Sequence, residues 1–160
     1  MSRFTRLALA VAVLVALAVG TVATTSASGR TVLDSRMFGI PTAGLVLDGI
    51  AGGGRPWTIK AGRAKLTADG RLEVRVKGLV LGSVPGSPGG NNPIPNGRAV
   101  IACGGAAVAQ SEIVAFSPTG DARVRTKVRL PEDCLAPAVF FVGVTATGAQ
   151  PWFAVSSHQT

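Results

Sequence analysis

Polar and apolar residues alternate strictly in two stretches of the chain, and both read as β-hairpins. In residues 63–81, Ala64 and Leu66 alternate with Lys65 and Thr67. Beyond Asp69-Gly70, Leu72, Val74 and Val76 alternate with Arg71, Glu73, Arg75 and Lys77. A period of two sends one set to a buried face and the other to water, and glycine tolerates the positive φ that a tight turn needs. In residues 116–130 a Ser-Pro-Thr-Gly turn leads into Ala122, Val124, Thr126, Val128 and Leu130, which alternate with Arg123, Arg125, Lys127 and Arg129. The two stretches echo each other at an offset of 50, through Gly70 and Gly120, Val74 and Val124, Arg75 and Arg125. Two hairpins built by one recipe produce such an echo without common origin.

Elsewhere the pattern is shorter. Residues 138–145 are an unbroken apolar run with β-branched and aromatic content, as a strand buried on both faces shows. Further strands are expected at 45–47, 56–59, 98–103, 108–116 and 152–156. Residues 28–44 read as a loosely ordered segment anchored by Phe38 and Ile40, and residues 45–160 as one domain. Eight or nine short strands without helical periodicity indicate an all-β fold, a two-sheet antiparallel β-sandwich of immunoglobulin-like kind. Its expected core holds Leu66, Leu72, Val74, Val76, Val124, Val128, Val139, Phe141 and one or both of Trp57 and Trp152. Residues 82–96, with Pro85, Pro88, Pro93 and Pro95, cannot pair as a strand or wind as a helix. They are a candidate variable binding loop or a solvated connection between sheets. The glycine-rich residues 49–54 precede Arg55-Pro56-Trp57 and not a helix start, which argues against a phosphate loop.

Composition changes the picture at the N-terminus. Arg3 and Arg6 precede an apolar run at 7–19, and Thr25-Ser26-Ala27 offers a small-residue cleavage site, so residues 1–27 read as a signal peptide. The run is short for a membrane span, and the mature protein is expected to be secreted, with no span after cleavage. Sixteen basic residues face eight acidic ones; without Arg3 and Arg6 the balance is fourteen against eight, a net charge of +6. Arginine-rich composition follows from GC-rich coding as readily as from a polyanionic partner. Cys103 and Cys134 are the only cysteines, and an even pair in an exported domain is most simply a disulfide.

Several motifs resemble a set of uncharacterised secreted proteins of GC-rich Gram-positive bacteria: Gly-Gly-Gly-Arg-Pro-Trp at 52–57, Asn-Pro-Ile-Pro-Asn at 92–96, Leu-Pro-Glu-Asp-Cys at 130–134 and Trp-Phe-Ala-Val at 152–155. That resemblance implies secretion and no particular activity. The first hairpin alone resembles the opening strands of CHRD-type extracellular β domains, without the histidines associated with them.

The catalytic inventory is thin. His158 is the only histidine and lies in a polar tail, no Gly-x-Ser-x-Gly occurs, and there is no tyrosine. No cofactor is expected, and Glu132-Asp133 is at most a weak calcium signal. The positive feature is basic. Arg71, Arg75 and Lys77 share one strand face, and Arg123, Arg125, Lys127 and Arg129 share another. If both belong to one sheet, seven cations converge and favour a polyanion such as an anionic cell-wall polymer. Nucleic acid is disfavoured, because no aromatics interleave with the charges. Charged strand faces also serve solubility and block edge pairing. The expectation is a non-catalytic secreted protein associating with the cell envelope or another protein; the alternative is an extracellular hydrolase with a carboxylate pair.

Overall fold

The computed structural model describes residues 29–156, and every regular element among them is a β-strand. The expected signal peptide and His158 lie outside the described residues. The strands are β1 (Thr31–Gly39), β2 (Val46–Leu47), β3 (Ile50–Ala51), β4 (Trp57–Thr58), β5 (Ala61–Thr67), β6 (Arg71–Lys77), β7 (Val80–Leu81), β8 (Asn96–Cys103), β9 (Ala106–Gln110), β10 (Val114–Ala115), β11 (Ala122–Lys127), β12 (Ala138–Gly143) and β13 (Trp152–Ser156). All strand pairs are antiparallel. Nine strands form one hydrogen-bonded sheet, eight of them in the order β10-β8-β12-β13-β1-β5-β6-β11 with β9 off this path on β8, and β2-β3 and β4-β7 make two small ladders.

The path curls because β1 serves two neighbours. Its first part, Thr31–Arg36, pairs with β5, and its last part, Met37–Gly39, pairs with β13. The residues expected to be loosely ordered therefore contain the longest strand, joining both halves of the curled half-barrel. Leu33, Ser35 and Met37 point inward along β1, while Asp34, Arg36 and Phe38 point outward. Ile40 is an anchor as expected, but Phe38 is 53% exposed.

The expected core is largely present: Leu66, Leu72, Val74, Val76, Val124, Val139, Phe141 and both tryptophans are buried, while Val128 packs at the margin. The tryptophans serve different layers. Trp57 stacks on Phe153 at 3.9 Å between ring centroids, and Phe116 meets Phe141 edge-on at 5.0 Å. Trp152 instead packs edge-on against Phe140 at 5.8 Å and donates its indole N–H to the Leu45 carbonyl at 3.0 Å. Phe140 and Phe141 are adjacent and both fully buried, so β12 is covered on both faces, as its apolar run predicts.

Both predicted turns form with glycine at positive φ, +84° at Gly70 and +81° at Gly120. A side chain on Gly120 would also run into the Leu79 backbone, because the Leu79 amide donates to the Gly120 carbonyl at 2.9 Å. The expected strand at 108–116 is split. Ser111 lies between β9 and β10, accepting a hydrogen bond from the Ala99 amide at 3.0 Å and donating to the Glu112 carbonyl at 2.7 Å.

Candidate functional site

Six of the seven cations singled out from the sequence lie on two adjacent strands. β6 and β11 are direct neighbours, in a register that sets Arg75 opposite Arg123, Glu73 opposite Arg125 and Arg71 opposite Lys127. Arg129 follows two positions after Lys127, beyond the end of the strand. Three further cations belong to the same face: Arg63 and Lys65 on β5, and Arg36 on β1. Across the strands β1, β5, β6 and β11 the outward side carries nine exposed Lys and Arg residues against Asp34 and Glu73, a local surplus of seven charges.

The registers stack these charges in rows. Arg36 is opposite Arg63, Arg63 opposite Arg75, and Arg75 opposite Arg123, so four arginines cross four strands in one line. The next row reads Asp34, Lys65, Glu73, Arg125. Neighbouring strands lie about 4.8 Å apart, and outward side chains repeat at about 6.7 Å along a strand, which fixes the grid of charge.

The carboxylates neutralise part of this face. Asp34 receives two hydrogen bonds from the Arg63 guanidinium, at 2.7 and 2.9 Å, and these hold its carboxyl below the usual carboxylate range while raising Arg63. Glu73 accepts from Arg123 at 2.7 Å and from Arg125 at 3.1 Å, the former being the larger cause of its lowered pKa. Asp69, in the turn, is lowered chiefly by the Thr67 hydroxyl at 2.6 Å and lies 3.1 Å from Arg71. Arg36, Lys65, Arg75, Lys77, Lys127 and Arg129 form no ion pair among the described residues. Four of the face's cations, Arg36, Arg63, Arg75 and Lys77, line a shallow hollow of about 350 Å³ with Ala61 and Gly62. Ala61 is opposite Lys77 and leaves that end of the hollow unfilled.

These carboxylates are poor starting points for acid catalysis. A general acid must hold its proton near neutral pH, whereas Asp34, Asp69 and Glu73 are all displaced the other way. Among the described residues no cluster of three or more His, Cys, Asp or Glu side chains could hold a metal ion.

The loop at 82–96 is firmly tied. The Arg55 guanidinium donates to the Ser87 hydroxyl at 2.9 Å and to the Gly82 and Ser87 carbonyls at 3.0 and 3.1 Å. The buried Asn92 amide donates to the Ile94 and Ser117 carbonyls at 2.7 and 2.8 Å and accepts from the Ile94 amide at 2.9 Å. This loop is a structural clasp between the β4–β7 ladder and the turn before β11. Cys103 and Cys134 form a disulfide, with their Cα atoms 5.4 Å apart.

Arg36 escaped sequence reasoning because its strand did. Arg63 and Lys65 were visible as the polar half of an alternating strand, but alternation does not say which strands are neighbours. No protein-family model, curated protein or solved structure matches the chain.

Proposed function

We propose that the protein is an exported, non-catalytic binding domain whose basic face, on β1, β5, β6 and β11, holds an anionic polymer of the cell envelope. The line of four mutually opposed arginines carries this reading. Like charges directly opposite across a ladder are destabilising. Edge protection does not explain them all, because β5 and β6 are paired on both sides and have no free edge. Solubility does not require them to face one another. A polymer with regularly spaced anions turns that cost into binding energy, and guanidinium groups suit phosphate and carboxylate oxygens through their paired donors.

The disulfide accords with an oxidising compartment. The same reading takes the two halves of the sheet as an immunoglobulin-like sandwich sharing β1. The chain crosses between the halves from β6 to β8, from β10 to β11 and from β11 to β12, which supports it.

The test is retention on purified anionic wall polymer across a salt series. Retention should be firm at low ionic strength and fall steeply as salt rises, since counter-ions are displaced on binding. Arg75→Glu combined with Lys77→Glu should abolish it while the fold persists. No retention at low salt would leave the face as a solvated surface and sink the proposal.

A further inference from the structure

We infer that the open seam of the curled sheet is a second site, adjoining the basic face at Lys127 and Arg129: an oxyanion-binding cleft built around Arg98. The path of strands ends in β11 on one side and in β8 with its short partners β9 and β10 on the other. Between β9 and β10 the chain bends at Ser111, whose hydroxyl and amide bond the Ala99 amide and carbonyl in place of a regular ladder. The end of β11 faces this bend across a cleft of about 570 Å³, lined by Arg98, Gln110, Ser111 and Glu112 on one wall and Lys127 and Arg129 on the other.

Arg98 is the observation that asks for a ligand. Its side chain is half-buried, its Nε is buried without any hydrogen-bond partner, and it forms no ion pair among the described residues. A buried donor left unmatched is costly, and native structures supply a partner for nearly all such groups. Glu112 is the one carboxylate lining the cleft, against three cations, and it stands within ion-pair distance of none of them. The Ser111 hydroxyl is already committed to backbone partners. What the cleft lacks is an acceptor with two oxygens in one plane for the guanidinium and net negative charge for Lys127 and Arg129. A phosphate or carboxylate group has both, either free or borne on a ligand of modest size.

The cleft shares Lys127 and Arg129 with the basic face but none of its residues with the arginine row, so variants at Arg98 and at Arg75 separate the two readings. Inorganic phosphate, titrated against the protein at constant ionic strength with chloride as control, is the probe, followed by amide and arginine side-chain NMR. Saturable shifts are expected at Arg98 Nε–H, Gln110 and Ser111, with acetate giving the same pattern more weakly. Arg98→Gln should weaken phosphate on the order of tenfold, the scale of one charge-assisted hydrogen bond. Arg98→Lys should recover only part of that. Glu112→Gln should tighten binding, since it removes the competing charge, and this variant serves if Arg98→Gln does not fold. Arg75→Glu should leave phosphate binding unchanged while polymer retention falls. Shifts that never saturate, or a response indifferent to Arg98 and Glu112, would overturn the inference and leave Arg98 as an apolar stem covering β8.

Discussion

Arg75 stands directly opposite Arg123 across the β6–β11 ladder, and no carboxylate pairs with Arg75 among the described residues. Arg123 is held by Glu73, so the two members of the pair differ: one is a compensated charge, the other a bare one. A bare arginine flanked by Arg63 and Arg123 costs stability and gains nothing from its neighbours. Arg75→Thr should therefore raise the thermal midpoint slightly, by the equivalent of up to about 1 kcal/mol, because it relieves cross-strand repulsion and suits a strand. The same change should weaken polymer retention. Calorimetry and salt-gradient retention on one variant test both halves, and a stability loss would show that the row does not carry the strain ascribed to it.

Glu73 offers the reverse experiment. It is 44% exposed and holds Arg123 and Arg125 at once. Glu73→Gln should cost less than about 1 kcal/mol, because exposed ion pairs are screened. It should also strengthen retention, since two guanidinium groups are released toward the ligand. Weaker retention in this variant would mean that Glu73 positions the arginines for binding and does not merely mask them.

Acid should act through the same carboxylates. Asp34 and Glu73 both have folded-state pKa values below their ordinary ones. The unfolded chain then binds more protons in the acid range, so their contribution is complete above the ordinary carboxylate pKa of about 4 and is lost as pH falls through the lower folded values. The expected result is a thermal midpoint that declines below about pH 4, with a shallower decline in Asp34→Asn and Glu73→Gln and in high salt. An equally steep decline in both variants would assign acid sensitivity elsewhere.

How much of this was legible depends on where information is local. Strict alternation in β5, β6 and β11 identifies each strand and its outward face from sequence, down to the Gly70 and Gly120 turns. β1 was hidden because it breaks the binary pattern twice: polar Ser35 points inward and apolar Phe38 points outward. The expected strand at 108–116 was cut by Ser111, whose hydroxyl replaces a ladder bond, a substitution that hydropathy does not register. The convergence of the cations depended on β6 lying beside β11, and periodicity specifies faces without specifying neighbours.

The disulfide joins strands that are already partners. β8 and β12 pair up to Ala102 opposite Ala138, and the Cys103–Cys134 bond lies just beyond that end. It closes a loop of 31 residues that contains β9, β10 and β11, so the chain-entropy estimate of its contribution is about 3–4 kcal/mol. Reduction should lower the thermal midpoint by a corresponding amount. It should also raise amide exchange first at residues 131–137, where Leu135 is 91% exposed. Uniform loss of protection across β12 and β13 would show instead that the bond holds the whole half-sheet.

The most localised test concerns Asn92. Its side-chain amide bonds the backbone of Ile94 and Ser117, and its own amide donates to the Pro118 carbonyl at 2.9 Å. Against the expectation for residues 82–96, Asn96 opens β8 and Val84 bridges to Ser87, but between them the Asn92 side chain supplies bonds to the backbone of Ile94 and Ser117. Asn92→Ala would leave the Ile94 amide and carbonyl and the Ser117 carbonyl without that partner in a buried place, at a cost of about 2–3 kcal/mol. Asn92→Asp keeps the acceptor for the Ile94 amide but sets a carboxylate against the Ile94 and Ser117 carbonyls, so it should be no better at neutral pH and should recover in acid, as protonation restores a donor. The readout is the thermal midpoint of both variants at neutral and acid pH, compared with the unaltered protein. Polymer retention in low salt should be intact in each, because the clasp does not touch the basic face. A variant that stays fully stable would show that water replaces the amide there, and that the loop owes its order to the Arg55 guanidinium and its own backbone bonds.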